Sequence, residues 1–313
     1  MTSLGALRPL QAGDRVALIA PAGPTSTEPQ QRAQELLRQW GLEPVTYPSS
    51  MAAHPRAVYL SGADLLRAED LVEAWCDPAI DGIFCLRGGY GTIRVLDLLD
   101  AERMRGAAAK PLFGSSDITA VHDWLRERLG AATWFTPMIG TGSLLDDEVA
   151  VASLRAAAFQ PVAGRCFAGP RAEPLATGVA HGTVTGGNLS LLALTVGARG
   201  RSVDNSGTIA LLEDIGEETY RIDGYLMALL RSGWFDGVAG IALGSWLNCG
   251  PLDEIRELCL ELLEPLGVPM VWELGFGHGP GALSVPLGVP ATLLAERAKV
   301  ALIVDSQPNR PLM

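Results

Sequence analysis

Lys110-Pro-Leu-Phe-Gly-Ser-Ser-Asp-Ile-Thr-Ala-Val-His122 is the stretch on which the reading of the fold turns. Leu112 and Phe113 form a short apolar run that reads as the end of a buried strand. Beyond it, Ile118, Val121, Leu125 and Leu129 recur at steps of three and four residues, the apolar stripe of a helix. Gly114-Ser115-Ser116-Asp117 joins the two. Gly114 permits a sharp turn, a serine can cap the new helix, and Asp117 suits the positive end of its dipole. A hydroxyl on a tight strand-to-helix turn stands clear of both elements, and the N–H that follows is free to face an oxyanion. Most serines at such joins only cap a helix, so this stretch alone leaves both readings open.

Working outward, the chain before this stretch alternates strands and helices. Arg15 to Ala20 is an apolar strand stopped by Pro21, Gly23 and Pro24. A helix is expected from Pro29 to Trp40, a short strand from Pro44 to Tyr47, and a helix over 63–75. Gly82 to Leu86 is a buried strand that runs into Arg87-Gly-Gly-Tyr-Gly91, followed by an expected helix through Leu99. Strands alternating with helices imply a parallel sheet with helices on both faces, with sites at the carboxyl ends of the strands. Pro21 to Pro24, Arg87 to Gly91 and Ser116 all fall at such ends.

From about Ala156 to Leu175 the texture changes to Ala, Gly, Pro and Arg with little periodicity, which reads as a linker. The expected organisation is an α/β N-terminal domain over 1–155, a linker over 156–178, and a smaller mixed α+β, β-rich C-terminal domain over 179–313. In the second half, Thr208 to Leu212 reads as a strand with Glu213 at its tip. Helices are expected over Ile222 to Leu230 and Leu252 to Leu263, and strands over Val238 to Leu243 and Val268 to Trp272. Three short strands, Leu283 to Leu287, Ala291 to Leu294 and Val300 to Val304, close the chain.

Nearly half of the 313 residues are hydrophobic (48%), enough for a sizeable core. A net charge of −11 argues against nucleic acid or an anionic membrane surface as a partner. Cys76, Cys85, Cys166, Cys249 and Cys259 are scattered and odd in number, which points to free thiols in a reducing compartment. No signal peptide and no membrane-spanning run is evident, so a cytoplasmic protein is expected.

Four histidines could act as a base. His122 lies six residues past Ser116 on the same helix, below the turn, and is set aside. His278 sits in Gly275-Phe-Gly-His-Gly-Pro-Gly281, where glycines leave its ring unobstructed, although a lone loop histidine is as often a surface residue. Of the acids Glu213, Asp214, Glu217, Glu218 and Asp223, Glu213 stands out because it ends an apolar strand, where it can hold an imidazole in one tautomer. No Cys or His spacing suits a metal. Arg87-Gly-Gly-Tyr-Gly and Thr185-Gly-Gly-Asn are glycine-rich turns before helices that match no nucleotide fingerprint. Such turns can equally present backbone N–H groups to an oxyanion.

Tyr59-Leu-Ser-Gly-Ala-Asp64, Arg87-Gly-Gly-Tyr-Gly-Thr-Ile-Arg94, Gly114-Ser-Ser-Asp-Ile-Thr119, Leu212-Glu-Asp-Ile-Gly-Glu217 with Tyr220-Arg-Ile-Asp223, and Gly277-His-Gly279 with Val285-Pro-Leu-Gly288 together resemble the LD-carboxypeptidase family of serine peptidases. They occur in the family's order and span nearly the whole chain. The resemblance implies a triad of Ser116, Glu213 and His278 in a cleft between two domains. It also implies a homodimer; the roles themselves put an oxyanion site at the Asp117 N–H and the Gly88–Gly89 turn and require no metal or organic cofactor. The implied reaction is removal of terminal D-alanine from a muropeptide, a murein tetrapeptide, in cell-wall recycling. A related branch hydrolyses peptidyl or aminoacyl nucleotides and confers antibiotic self-immunity. The short stretch between Ser116 and Glu213 looks more like the murein branch. A non-catalytic peptide-binding protein of the same fold is the rival from another class. Two departures bear on substrate choice. Phe135-Thr-Pro137 stands where the family often has His-Gly-Pro, and Gly224 stands where it often has Arg.

Overall fold

The computed structural model describes residues 7–198 and 204–306. The chain divides after Pro161 into two compact units. The first runs β1 (Arg15–Ile19), α1 (Thr27–Gln39), β2 (Glu43–Thr46), α2 (Asp64–Cys76), β3 (Gly82–Cys85), α3 (Ala101–Arg105), β4 (Leu112–Gly114), α4 (Thr119–Leu129), β5 (Thr133–Phe135), α5 (Gly142–Leu145) and α6 (Glu148–Phe159). Its strands are parallel, in the order β5-β4-β3-β1-β2. The chain steps one way from β1 to β2 and the other way from β2 through β5. Right-handed crossovers therefore place α1 on one face and α2, α3 and α4 on the other.

Side chains alternate accordingly. Ala17, Ile19, Ile83, Cys85 and Leu112 pack on one face with Leu71 and Trp75 of α2, Met104 of α3, and Val121 and Leu125 of α4. On the other face Phe84 stacks on Phe113 with centroids 4.4 Å apart. The order reverses direction between β1 and β3, which makes the carboxyl ends of these strands a crevice. There the Gly23 N–H donates to the Gly88 carbonyl (3.0 Å), tying the turn after β1 to the turn after β3.

One expectation fails here. The helix expected between Gly91 and Leu99 is a pair of 3-10 turns, Thr92–Arg94 and Leu96–Leu98. Its anchors explain this. The Thr92 N–H is held by Asp117 Oδ2 and the Arg94 guanidinium by Asp64, so the segment follows fixed points outside itself.

The second unit runs β6 (Cys166–Phe167), β7 (Glu173–Ala176), β8 (Gly178–Asn188), α7 (Leu189–Thr195), β9 (Thr208–Ile215), α8 (Thr219–Arg231), β10 (Gly240–Leu247), α9 (Leu252–Leu263), β11 (Met270–Trp272), β12 (Val285–Leu287), β13 (Pro290–Glu296) and β14 (Lys299–Val304). An eight-stranded mixed sheet is ordered β6-β14-β13-β8-β9-β10-β11-β7. Its centre, β8 to β11, is parallel and its flanks are antiparallel. Leu192 of α7, Leu226 of α8 and Cys259 of α9 cover the face that carries Ala210, Leu212, Ile241 and Leu243.

The stretch 156–178, read as a linker, holds the last turn of α6 and both β6 and β7. The two strands are short pieces at the edges of the sheet, where Gly and Pro are tolerated and periodicity is weak. The five cysteines are free thiols, with Cys85 and Cys259 buried. Among the described residues no helix is long and apolar enough to cross a membrane.

Candidate active site

In the first unit β4 delivers Gly114, and the chain turns through Ser115 and Ser116 into a short 3-10 turn and then α4. Ser116 has φ = 57°, the left-handed region that a residue with a Cβ occupies only when its surroundings hold it there. The expected serine cap is absent, because Ser115 at the N-cap position makes no side-chain cap bond. Its hydroxyl does not decide where the turn ends. What decides it is Asp117, wholly buried, whose Oδ2 accepts the Thr92 N–H (2.8 Å). Burial raises the pKa of this carboxyl, and the bonds from Thr92 oppose the rise.

These bonds draw the Arg87–Gly91 turn over the serine. A Cβ built on Gly88 would fall 2.8 Å from Ser116 Cβ and 3.0 Å from its Oγ. Only glycine lets the two turns approach so closely. Arg67, wholly buried, braces the same crevice. Its guanidinium donates to the carbonyls of Pro21 and Gly91 and pairs with Asp64. Nothing in the sequence singled out Arg67, since a charged residue on an amphipathic helix reads as solvated.

In the second unit β9 carries Glu213. The sequence places Glu213 at the tip of a strand that ends at Leu212. That strand runs on to Ile215, and Glu213 is fully buried. Partners make this tolerable. Asn188 pairs with Glu213 in the β8–β9 register, and its amide donates to Glu213 Oε1 (3.2 Å) and Asp214 Oδ1 (2.8 Å). Successive strand residues face opposite ways, so Asp214 turns toward α7, where its Oδ2 accepts the Ser190 N–H (2.8 Å). Burial, with Glu213 beside it, pushes the Asp214 carboxyl up to about 6.

On its own side of the sheet Glu213 meets the loop after β11. His278 Nδ1 lies 2.6 Å from Glu213 Oε2. Burial alone would lower the imidazole pKa, but the negative charge of Glu213 and its hydrogen bond outweigh burial, so the net shift is upward. Because Nδ1 faces Glu213, Nε2 is the nitrogen left to exchange a proton. Glu217, the rival acid, pairs with Arg221 at 3.2 Å instead.

The other histidines have different work. His54 Nδ1 accepts the Ala57 N–H, and His181 Nδ1 contacts Thr292 Oγ1. His122 is buried with Nε2 2.8 Å from the Gly114 carbonyl oxygen, and burial pulls its pKa down to about 4. The second glycine-rich turn of the sequence reading, Thr185 to Asn188, is strand rather than turn. A Cβ on Gly186 would fall 2.1 Å from the Leu211 carbonyl oxygen, so that glycine serves close strand packing. Among the described residues no group of three or more His, Cys, Asp or Glu is placed to hold a metal ion.

Residues 16–136 match the model of the LD-carboxypeptidase N-terminal domain, and residues 181–293 that of the LD-carboxypeptidase C-terminal domain. A Streptomyces coelicolor protein whose name assigns it provisionally to the carboxypeptidases is 46% identical over 293 residues, covering 94% of each chain. The murein tetrapeptide carboxypeptidase of Pseudomonas aeruginosa is 32% identical over 301 residues, covering 91% of this chain and 94% of its own. The crystal structure of muramoyltetrapeptide carboxypeptidase from Oxalobacter formigenes superposes with a TM-score of 0.79 at 27% identity, over 94% of this chain and all (100%) of that one.

Proposed function

We propose, from the premise that this chain belongs to the LD-carboxypeptidase family of peptidases, that it is a serine carboxypeptidase acting in the cytoplasm. Its substrate is a murein tetrapeptide, from which it releases the terminal D-alanine by cutting the amide between an L and a D centre. Relatives named as a murein tetrapeptide carboxypeptidase and a probable murein peptide carboxypeptidase, at about one-third identity over most of the chain, support the substrate class. The single observation that carries the chemistry is the 2.6 Å contact of His278 Nδ1 with the buried Glu213.

In this reading Ser116 Oγ attacks the scissile carbonyl and His278 Nε2 takes its proton. Glu213 keeps Nδ1 protonated and stabilises the imidazolium. The Asp117 N–H and the Gly88–Gly89 turn hold the oxyanion, and preorganised donors of this kind are worth about 3–4 kcal/mol each. His278 returns the proton to the departing D-alanine nitrogen, and water then cleaves the acyl-enzyme by the same base. Side chains and backbone carry every step. A homodimer is the proposed assembly, to be read by sedimentation.

The experiment is hydrolysis of a panel of matched peptides, L,D-linked and L,L-linked, with free and amidated carboxyl ends. Release of D-alanine from the free L,D peptide alone is the expected result. Cleavage of none of them, or of the L,L peptides equally well, would sink the reading.

A further inference from the structure

We infer that Ser245 is a positioning residue for His278, setting the imidazole against Glu213 through the backbone of the histidine loop. Its kinetic consequence rests on the peptidase reading above; its effect on the imidazole does not.

Ser245 lies on β10, and its Oγ accepts two successive backbone N–H groups, from His278 (2.8 Å) and Gly279 (2.9 Å). The same residue's N–H donates to the Phe276 carbonyl oxygen (2.9 Å), so the loop is clamped on both sides of Gly277. Gly277 sits in the gap with φ = 115°, and a Cβ there would fall 2.5 Å from Ser245 Oγ and 2.8 Å from Glu213 Oε2. The loop backbone is therefore seated directly on the serine hydroxyl and on the carboxylate that binds the ring. A hydroxyl that accepts twice from one turn fixes both the height and the rotation of that turn. Without it two N–H groups lose their acceptor and the imidazole is free to move off Glu213. The register shifts between Leu243 and Trp246, which is where a strand re-aims a side chain, and Ser245 lies inside that shift. Serine or threonine alone offers an oxygen on so short a stem. Ser245, Glu273 and Gly279 line a cavity of about 270 Å³.

The test compares Ser245→Ala and Ser245→Thr in the full-length protein. One readout is the proton NMR titration of His278, assigned with a His278→Gln variant. The other is kcat and KM on the L,D tetrapeptide. In Ser245→Ala the His278 titration midpoint falls toward the ordinary imidazole value and kcat drops about tenfold or more, with KM within about twofold. Ser245→Thr restores both. If the alanine variant does not fold, Ser245→Cys, which is only slightly larger and weakens the acceptor, takes its place. A midpoint and kcat unchanged in Ser245→Ala overturn the inference. So does a folded Ser245→Thr that behaves like Ser245→Ala. If the wild-type protein cleaves no L,D peptide, the peptidase reading fails while the titration still decides the role of Ser245.

Discussion

Gly277 rests on Glu213: a Cβ added to this glycine would fall 2.8 Å from the carboxylate oxygen that binds His278. Gly277→Ala is therefore both crowded and strained at φ = 115°. We expect a loss on the order of 1–3 kcal/mol in unfolding free energy, with kcat down about tenfold or more as the ring is pushed from its partner. Denaturant unfolding and steady-state kinetics measure the two, and a fully active, fully stable alanine variant would show that the contact is not rigid.

The pH dependence follows from the sign of the His278 shift. As a base, the imidazole works only when neutral, so kcat/KM rises with pH through its pKa. Glu213 holds that pKa above the ordinary 6.5, and the acid limb should therefore have its midpoint above this value. In Glu213→Gln the charge is gone and burial remains, so the midpoint should move below it, with kcat reduced by about two to four orders of magnitude. A limb that stays in place in the variant would mean that another group titrates.

Ser116, the proposed nucleophile, also holds a strained backbone position (φ = 57°), and this gives opposite signs for activity and stability. Ser116→Ala should abolish turnover and labelling by a serine-directed phosphonate, whereas Ser115→Ala should keep most activity. Ser116→Gly should also be inactive, yet melt higher, because glycine adopts φ = 57° freely; the gain should be about 1 kcal/mol. His278→Ala should block labelling and His122→Gln should not. Equal loss of activity in the two serine variants would refute the choice of nucleophile.

His122 should act on acid stability alone. Its pKa is lowered from 6.5 to about 4, so its contribution is present above 6.5 and lost as pH falls through 4. The unfolded chain takes up the proton first, which removes about 3 kcal/mol at most across that window. Asp214, raised from 3.8 to about 6, works in the opposite sense, with its contribution lost as pH rises through 6. The difference between wild type and His122→Gln in urea unfolding at pH 7 and pH 4 isolates the histidine. A difference that does not change with pH would put this imidazole in contact with solvent.

The alternation of strands with helices in the first 135 residues was legible because each element carries its own signal: apolar runs ended by Gly or Pro, and helical periodicity in between. Glu213 and His278 were legible for a similar reason. One sits in a strand and the other in a glycine-flanked loop, and both lie in motifs that the family resemblance places in order. Legibility failed where partners distant in sequence decide the outcome. The segment after Gly91 has helical composition but is held by Asp117 and Asp64 in 3-10 turns. β9 runs past two carboxylates because Asn188 and Ser190, more than twenty residues earlier, satisfy them.

By itself the sequence determined the elements, their order and the residue types that can do acyl-transfer chemistry, since periodicity and turn chemistry are local. The tertiary structure alone decided which atoms meet: Glu213 Oε2 with His278 Nδ1, Gly88 against Ser116, Arg67 under the Gly91 turn, and Ser245 beneath the histidine loop. Each of these depends on a long-range close approach. A glycine or a buried charge looks the same in sequence whether or not a distant backbone lies within 3 Å of it.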